Sequence, residues 1–351
     1  LHIVKGQLLY SEKGRPPEVS QVYSRDKIEI VPCNLCRSDS RKTIAAKFGL
    51  SIVRCRRCGL VYANPRLIES ELRKRYGAAY FFGEYLPVFR ADAFSYSLDV
   101  IKDHYSLYLS ILGKYFLPGK CLLDIGCGAG FFLKAAELAG WSVAGTETSE
   151  AAADYARAVT KVKVFYGNLE EIRLAPESYD AVTMLDILEH LPDPMGTLKE
   201  VHRVLKKGGI LIVNTPDYQS LSRSILGKGW AVLSPAEHLH YFTEKTLRRA
   251  FEQAGFRVIG LRNLLIFIPE YTHRRESIQS RLWKNAVRSL EKTEFMQDIH
   301  RYEYFDLLFA GDDENANPLV AGIHSRLKKR IYRRAKAWLR GDQLVAICRK
   351  D

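Results

Sequence analysis

The sequence predicts an α/β fold: a seven-stranded sheet covered by helices, fronted by a small zinc ribbon and broken by a helical insertion before its last strand. Three observations predict it. From Cys121 onward, short apolar runs alternate with stretches of helical spacing; a glycine-rich turn joins the first run to the first helix; and four cysteines precede both as two CxxC pairs. Strands alternating with helices make a parallel sheet with helices against its faces.

Residues 1–30 mix short apolar runs with charge around Pro16-Pro17 and form an N-terminal extension with no nameable chemistry. Residues 31–66 hold the cysteines. Residues 67–117 make a helical connector, where Leu98, Ile101, Tyr105, Leu109 and Leu112 recur at helical spacing. The core spans 118–264, with strands expected at 121–125, 142–145, 162–165, 181–185, 210–213 and 256–261. Helices are expected at 130–139, 150–159, 197–205 and 245–254. A seventh strand, 343–348, lies in the closing segment 342–351, after a basic helical insertion at 265–341.

A chain of 351 residues that is 47% apolar and 26% charged is ordinary globular material. Its apolar runs fall far short of the ~20 residues that span a bilayer, and the first residues do not read as a secretory leader. A start at Leu1 leaves open that residues precede it. The expectation is a cytoplasmic protein, with peripheral contact at the inner membrane face left open. Cys121, Cys127 and Cys348 stand singly, and paired cysteines without export features favour metal over disulfides. A formal charge of +13 fits a phosphate-bearing partner, an anionic membrane or plain solubility.

The expected strand 121–125 runs into Asp124-Ile-Gly126-Cys-Gly128-Ala-Gly130 and then a helix. Such a turn lets backbone approach a ligand and aims the free N–H groups of a helix start at it. Glu147 ends the second strand, 21 residues after Gly126, where a carboxylate can accept from both hydroxyls of a ribose. A dinucleotide fingerprint would need a third glycine at position 131, which is Phe131. The GxGxG form fits a nucleoside cofactor without a pyrophosphate.

The segments LLDIGCGAG (122–130), VAGTETS (143–149), GNLEEI (167–172), YDAVTMLDILEHLPDP (179–194), LKKGGILIVNTPD (205–217) and HLHYFTEKTL (238–247) resemble the ordered motifs of class I S-adenosylmethionine-dependent methyltransferases. The resemblance is strongest to the group around the ubiquinone-biosynthesis O-methyltransferases, over 120–262 and the final strand. It implies a Rossmann-like methyltransferase sheet and S-adenosylmethionine as cofactor. Asp124, Gly126, Gly128 and Gly130 would meet the methionine part, Glu147 the ribose, Asn168 and Leu169 the adenine, and Asp186, Ile187 and Leu188 the sulfonium side. The group usually has Asp where this chain has Asn168, whose amide oxygen still accepts from the adenine amino group.

Methyl transfer from a sulfonium is an in-line displacement, so the protein aligns the nucleophile and removes its proton. In open α/β sheets the substrate lies beyond the carboxyl ends of the strands, which points to the loops after strands four and five. Glu189 and His190 follow strand four; Glu237, His238 and His240 follow strand five. His190 has a suitable ordinary pKa for a base, against an equal reading as a structural histidine before Pro192. Glu237 and His238 are the stronger base candidates, weighed against a role that only anchors the loop 234–243. In sugar C-methyltransferases, which also carry an N-terminal zinc site, a similarly placed Glu-His pair is catalytic, although this chain lacks their large second C-terminal domain. Trp230, Tyr241 and Phe242 either cover the site or merely pack, and Glu200 and His202 read as surface residues.

Cys33-x2-Cys36 and Cys55-x2-Cys58, with 18 residues between the pairs, suit two knuckles converging on one tetrahedral Zn2+. Four thiolates leave no position for water, so the metal is structural. The flanking CRRCGLVYANPR (55–66), with Tyr76 and Tyr80-Phe81-Phe82 downstream, is similar to the ribbon fused to many bacterial methyltransferases of this group, where it helps to place the acceptor. Arg54, Arg56 and Arg57 leave a phosphate-binding role open.

Residues 323–340 carry eight Lys or Arg and no acid, with Ile323, Leu327, Ile331, Ala335 and Trp338 along one side. That stripe can pack on the domain, lie on an anionic membrane or accompany RNA phosphates. The expectation is therefore methylation of a hydroxyl or carbon on a small-molecule, glycan or lipid-linked acceptor. The alternative is an RNA methyltransferase that grips RNA with ribbon and basic helix.

Overall fold

The computed structural model describes residues 23–47, 49–115, 117, 119–264 and 340–351, with the backbone of a hairpin formed by Ile3–Val4 and Gln7–Leu8. Strand β1 (Ile28–Glu29) leads into the first cysteine turn, followed by β2 (Arg41–Lys47), β3 (Leu50–Cys55), the second cysteine turn, β4 (Val61–Ala63) and β5 (Arg66–Leu67). The two cysteine turns share one geometry. The N–H four residues on donates to the carbonyl of the leading cysteine, Arg37 to Cys33 at 2.7 Å and Gly59 to Cys55 at 3.1 Å. The residue after each second cysteine is left-handed, Arg37 at φ 58° and Gly59 at φ 84°, which curls each pair of thiols inward. β2 pairs antiparallel with β3 and β3 with β4, while β1 pairs with β5.

The connector is helical as expected: α1 (Glu69–Arg75), single turns over Ala78–Tyr80, Phe81–Tyr85 and Leu86–Val88, then α2 (Leu98–His104) and α3 (Ser106–Lys114). Ser97 caps α2 by accepting from the N–H of Val100. Ile101, Ile111 and Leu112 are buried in one apolar cluster with Phe131, Phe132, Leu133 and Ile210.

The core then alternates β6 (Cys121–Ile125), α4 (Phe131–Leu138), β7 (Ser142–Glu147), α5 (Glu150–Tyr155), β8 (Val164–Tyr166), α6 (Leu169–Ile172), β9 (Tyr179–Leu185), α7 (Pro194–Val204) and β10 (Leu205–Pro216). After α8 (Leu221–Leu226) and the two-residue β11 (His240–Tyr241) come α9 (Glu244–Gln253), β12 (Phe256–Leu264) and β13 (Gln343–Lys350). The seven-stranded sheet runs β8-β7-β6-β9-β10-β13-β12. β8, β7, β6, β9 and β10 are parallel, and their apolar residues face helices on both sides.

β13 is antiparallel to both neighbours, so the sheet is mixed. The register supplies the reason: Leu264 pairs with Gln343 and Phe256 with Lys350, so the chain leaves β12 and returns beside the same end, as in a hairpin. The expected insertion and its basic helix, 265–339, lie outside the described residues.

The ribbon is continuous with the core. β11, from the loop between β10 and α9, pairs antiparallel with β4, His240 opposite Tyr62 and Tyr241 opposite Val61, and completes a sheet β11-β4-β3-β2. Cys33, Cys55, Leu60 and Tyr62 pack into the same apolar cluster as Met184, Val213 and Phe242. Burial of that shared surface therefore holds the ribbon over the carboxyl ends of β9 and β10.

Candidate active site

At the carboxyl end of β6, Gly126, Gly128 and Gly130 all have positive φ, at 67°, 53° and 73°. A Cβ at Gly126 would stand 2.3 Å from the Ile187 side chain, and one at Gly128 2.4 Å from the Tyr85 hydroxyl. No side chain fits at either position. Both oxygens of Glu147 accept backbone N–H groups, from Gly128 at 2.8 Å and Ser149 at 2.7 Å. Each oxygen keeps a further lone pair for a ligand hydroxyl. Asp124 accepts from Thr183 Oγ1 at 2.6 Å, and its burial pushes its pKa up to about 7. Asp186 accepts from Asn214 Nδ2 at 2.9 Å and is exposed at the cavity wall.

Asp124, Gly126, Gly128, Glu147 and Asp186 line a cavity of about 710 Å³ together with Asn168, Leu169 and Ile187, whereas Gly130 faces Thr160 and Val162 and stands outside the lining. The connector closes it from above with Tyr76, Tyr80, Tyr85, Phe89 and Tyr105. The glycine turn, the paired oxygens of Glu147 and the adjoining start of α4 fit an adenosyl-sulfonium cofactor. Asn168 heads α6 in a capping box, where its side chain accepts from the N–H of Glu171, and its Nδ2 faces Glu69 Oε1 at 3.4 Å. One lone pair of its amide oxygen is thus already engaged.

His190 lines the far side of the cavity. Its Nδ1 lies 3.0 Å from the carbonyl of Glu237, which can only accept, so Nδ1 carries the proton; the Tyr76 hydroxyl is 2.8 Å from the same nitrogen. His238 repeats the arrangement with Nδ1 2.7 Å from the carbonyl of Val232, and the two imidazole rings lie 4.6 Å apart, tilted by 56°. Both Nε2 atoms therefore bear lone pairs. Burial lowers both rings, His190 to about 3, so both are neutral near pH 7. Glu189 is 2% exposed; it accepts from Thr215 Oγ1 at 2.9 Å, and burial beside Asp186 pushes its carboxyl well above the usual range. Glu189 Oε1 stands 3.8 Å from His190 Nε2.

Glu237 acts differently from the expected Glu-His pairing. Its carboxylate is held by Arg75, at 2.7 Å from Nε and 2.6 Å from Nη2, while its carbonyl orients His190. Arg75 also grips Glu84 with both terminal nitrogens at 3.1 Å. The reason is topological: α1 crosses over the loop after β10 and puts a guanidinium where the sequence has no local partner for Glu237. Trp230, Tyr241 and Phe242 are each 3% exposed or less and lie in apolar clusters away from the cavity wall, so they pack. Sequence reasoning missed Arg75 and the reach of Tyr76 to His190. The aromatic run from Tyr76 to Phe82 was the available signal.

The Sγ atoms of Cys33, Cys36, Cys55 and Cys58 all lie within 4.8 Å of one another, with Cys33–Cys58 and Cys36–Cys55 at 3.5 Å. A tetrahedral ion with Zn–S near 2.3 Å needs sulfurs about 3.8 Å apart, so the set fits Zn2+ with its shell filled. Carbonyl, carboxylate and imidazole groups are absent from this set, which gives the metal a structural and not a catalytic place.

Residues 101–261 match the family model described as a methyltransferase domain. A ubiquinone biosynthesis O-methyltransferase of Pseudomonas syringae pv. tomato is 38% identical over 105 residues, 28% of this chain and 45% of that protein. One from Pseudomonas putida is 32% identical over 153 residues, 41% of this chain and 66% of that protein. The chain thus spans between about half and two thirds of these relatives. Among solved structures, a Thermotoga maritima methyltransferase described as a possible histamine N-methyltransferase aligns with TM-score 0.38 at 26% identity, covering 47% of this chain and 84% of that one. An Archaeoglobus fulgidus methyltransferase aligns with TM-score 0.44 at 18% identity, covering 76% of this chain and 98% of that one. Domain match, strand order and the glycine turn with Glu147 agree: across residues 101–261 the chain is a class I S-adenosylmethionine-dependent methyltransferase domain.

Proposed function

We propose that the whole chain is an enzyme that moves a methyl group from S-adenosylmethionine to a hydroxyl, or a carbon, of a small-molecule, glycan or lipid-linked acceptor. The bound cofactor supplies the electrophilic methyl; the residues of this chain do the rest. In this reading Asp124 and the glycine turn hold the methionine part, Glu147 the ribose hydroxyls and Asn168 and Leu169 the adenine edge, with Asp186 and Ile187 beside the sulfur. The carrying observation is the neutral imidazole of His190 in the cavity wall, its Nδ1–H tied to the Glu237 carbonyl so that Nε2 bears the lone pair, with the ring of His238 tied to the Val232 carbonyl and lying 4.6 Å from it. A lone pair fixed in direction can take the acceptor's proton as the methyl arrives. Glu237 and Arg75 brace the loop that carries His238, and the connector's aromatic wall keeps water out.

Methyl transfer to RNA is the less favoured reading, because the cavity is walled by aromatic side chains and carboxylates, a poor lining for a phosphate backbone. The test is a mass-shift screen with labelled cofactor against lipid, glycan, small-molecule and RNA fractions of a cell extract. Label is expected in one of the first three. His238→Ala is expected to lower incorporation by about 10²–10⁴-fold with cofactor binding retained. Label confined to RNA, or full turnover by His238→Ala, would refute the reading.

A further inference from the structure

The first cysteine turn reaches both loops that carry the imidazoles. Asn34 stands between Cys33 and Cys36, and its Nδ2 lies 2.9 Å from the carbonyl of Pro192 and 3.0 Å from His240 Nε2. A carbonyl only accepts, so one amide hydrogen goes to Pro192 and the other to His240, whose Nε2 must then be the lone-pair nitrogen of a neutral ring. Pro192 follows His190 by two residues, and His240 follows His238 by two. Arg66 donates to the same Pro192 carbonyl at 2.6 Å while gripping Glu29.

The two loops are also locked to each other. The carbonyl of Glu189 accepts from the N–H of Leu239 at 2.8 Å and of His240 at 3.0 Å. His240 is 2% exposed, and its Nδ1 has no hydrogen-bond partner among the described residues. Asn34 is thus the polar group that fixes this ring, while the pairing of β11 with β4 fixes its backbone. A buried amide satisfied on both hydrogens resists rotation, because either alternative orientation leaves a carbonyl or an imidazole unpaired.

We propose that Asn34 is a positioning residue, which transmits the metal-set shape of the first cysteine turn through Pro192 and His240 to His190 and His238, so that zinc occupancy aligns the transfer site. The proposal rests on the acid–base reading given above for those two histidines. Ordering of the four thiolates fixes the turn from Cys33 to Cys36, and with it the direction of the Asn34 amide. Loss of the amide leaves Pro192 with Arg66 alone and His240 with no polar anchor. Misalignment near 1 Å at a reacting group lowers turnover by about a hundredfold.

The test uses the zinc-loaded full chain with ring-¹⁵N-labelled histidine and S-adenosylhomocysteine as the bound probe. Asn34→Ala is expected to keep its zinc and its affinity for the probe. It is expected to displace the ring signals of His190, His238 and His240, and to lower labelled-methyl incorporation into a solvent extract of cells by about a hundredfold. Zinc removal from the unaltered chain is expected to displace the same three signals. Ring signals of His190 and His238 that stay put in zinc-bearing Asn34→Ala, or that ignore zinc removal, overturn the proposal.

Should Asn34→Ala shed its zinc, His240→Gln and His240→Leu decide. The glutamine carbonyl accepts from Asn34 and restores the His190 and His238 signals, whereas leucine does not; equal behaviour of the two overturns the proposal. Failure of the acid–base reading looks different. It appears as undiminished methyl incorporation by His190→Ala and His238→Ala, whatever the ring signals do.

Discussion

Glu147, half-buried, receives two backbone N–H groups, so its carboxylate is aimed before any ligand arrives. Charged hydrogen bonds are each worth about 1.5–3 kcal/mol, so Glu147→Ala is expected to weaken cofactor binding by about 10–100-fold in calorimetry. An unchanged Kd would remove the ribose role. A pH dependence belongs to the same scale. Asp124, 4% exposed and raised to about 7 by burial, is largely protonated in the free protein at pH 6. A cationic sulfonium favours its ionised form, so binding releases a proton and affinity rises with pH through that window, by up to about tenfold per unit. S-adenosylhomocysteine, which has no sulfonium, is expected to show a shallower slope between pH 5.5 and 7.5; equal slopes would contradict the account. Asp124, the glycines and Glu147 were legible in the sequence because strand, turn and strand end are local. The partners of Glu237 were not, since Arg75 arrives from 162 residues away.

Among elements, β6, β7, β9 and β10 were readable from their apolar runs, which are short and flanked by turns. β11 was not. It is two residues long and exists because β4 of the ribbon offers it a free edge, a non-local pairing that no periodicity records. The antiparallel sense of β13 was hidden for a related reason, since it depends on where the chain re-enters after 265–339. The ribbon's dependence on metal gives an element-scale prediction. Four thiolates cannot stay within 4.8 Å of one another as anions without a cation, so chelation is expected to unfold β2 to β4 and release β11. Hydrogen exchange should then show lost protection at 50–55, 61–63 and 240–241, with protection kept at 121–125. Uniform protection before and after chelation would refute the coupling.

At the scale of the molecule, the connector and the methyltransferase domain enclose one cavity, while the ribbon is joined to the loops behind it through β11 and Asn34. The ends of β12 and β13 are also tied together. Asn263 donates Nδ2 to the Gly341 carbonyl at 2.9 Å and accepts from its N–H at 2.7 Å, and Arg340 pairs with buried Asp217 at 2.8 Å. With Leu264 opposite Gln343, replacement of 265–339 by a short glycine-rich turn is expected to leave the sheet folded and cofactor affinity unchanged, measured by calorimetry. A chain that no longer folds would show that 265–339 is part of the core. The central claim is that the glycine turn after β6 and the carboxylate of Glu147 form a seat for adenosyl-sulfonium. Calorimetry of the zinc-loaded chain with S-adenosylmethionine tests it most directly. The account predicts saturable heat that Glu147→Ala weakens; a flat titration with both the cofactor and its demethylated product would contradict it.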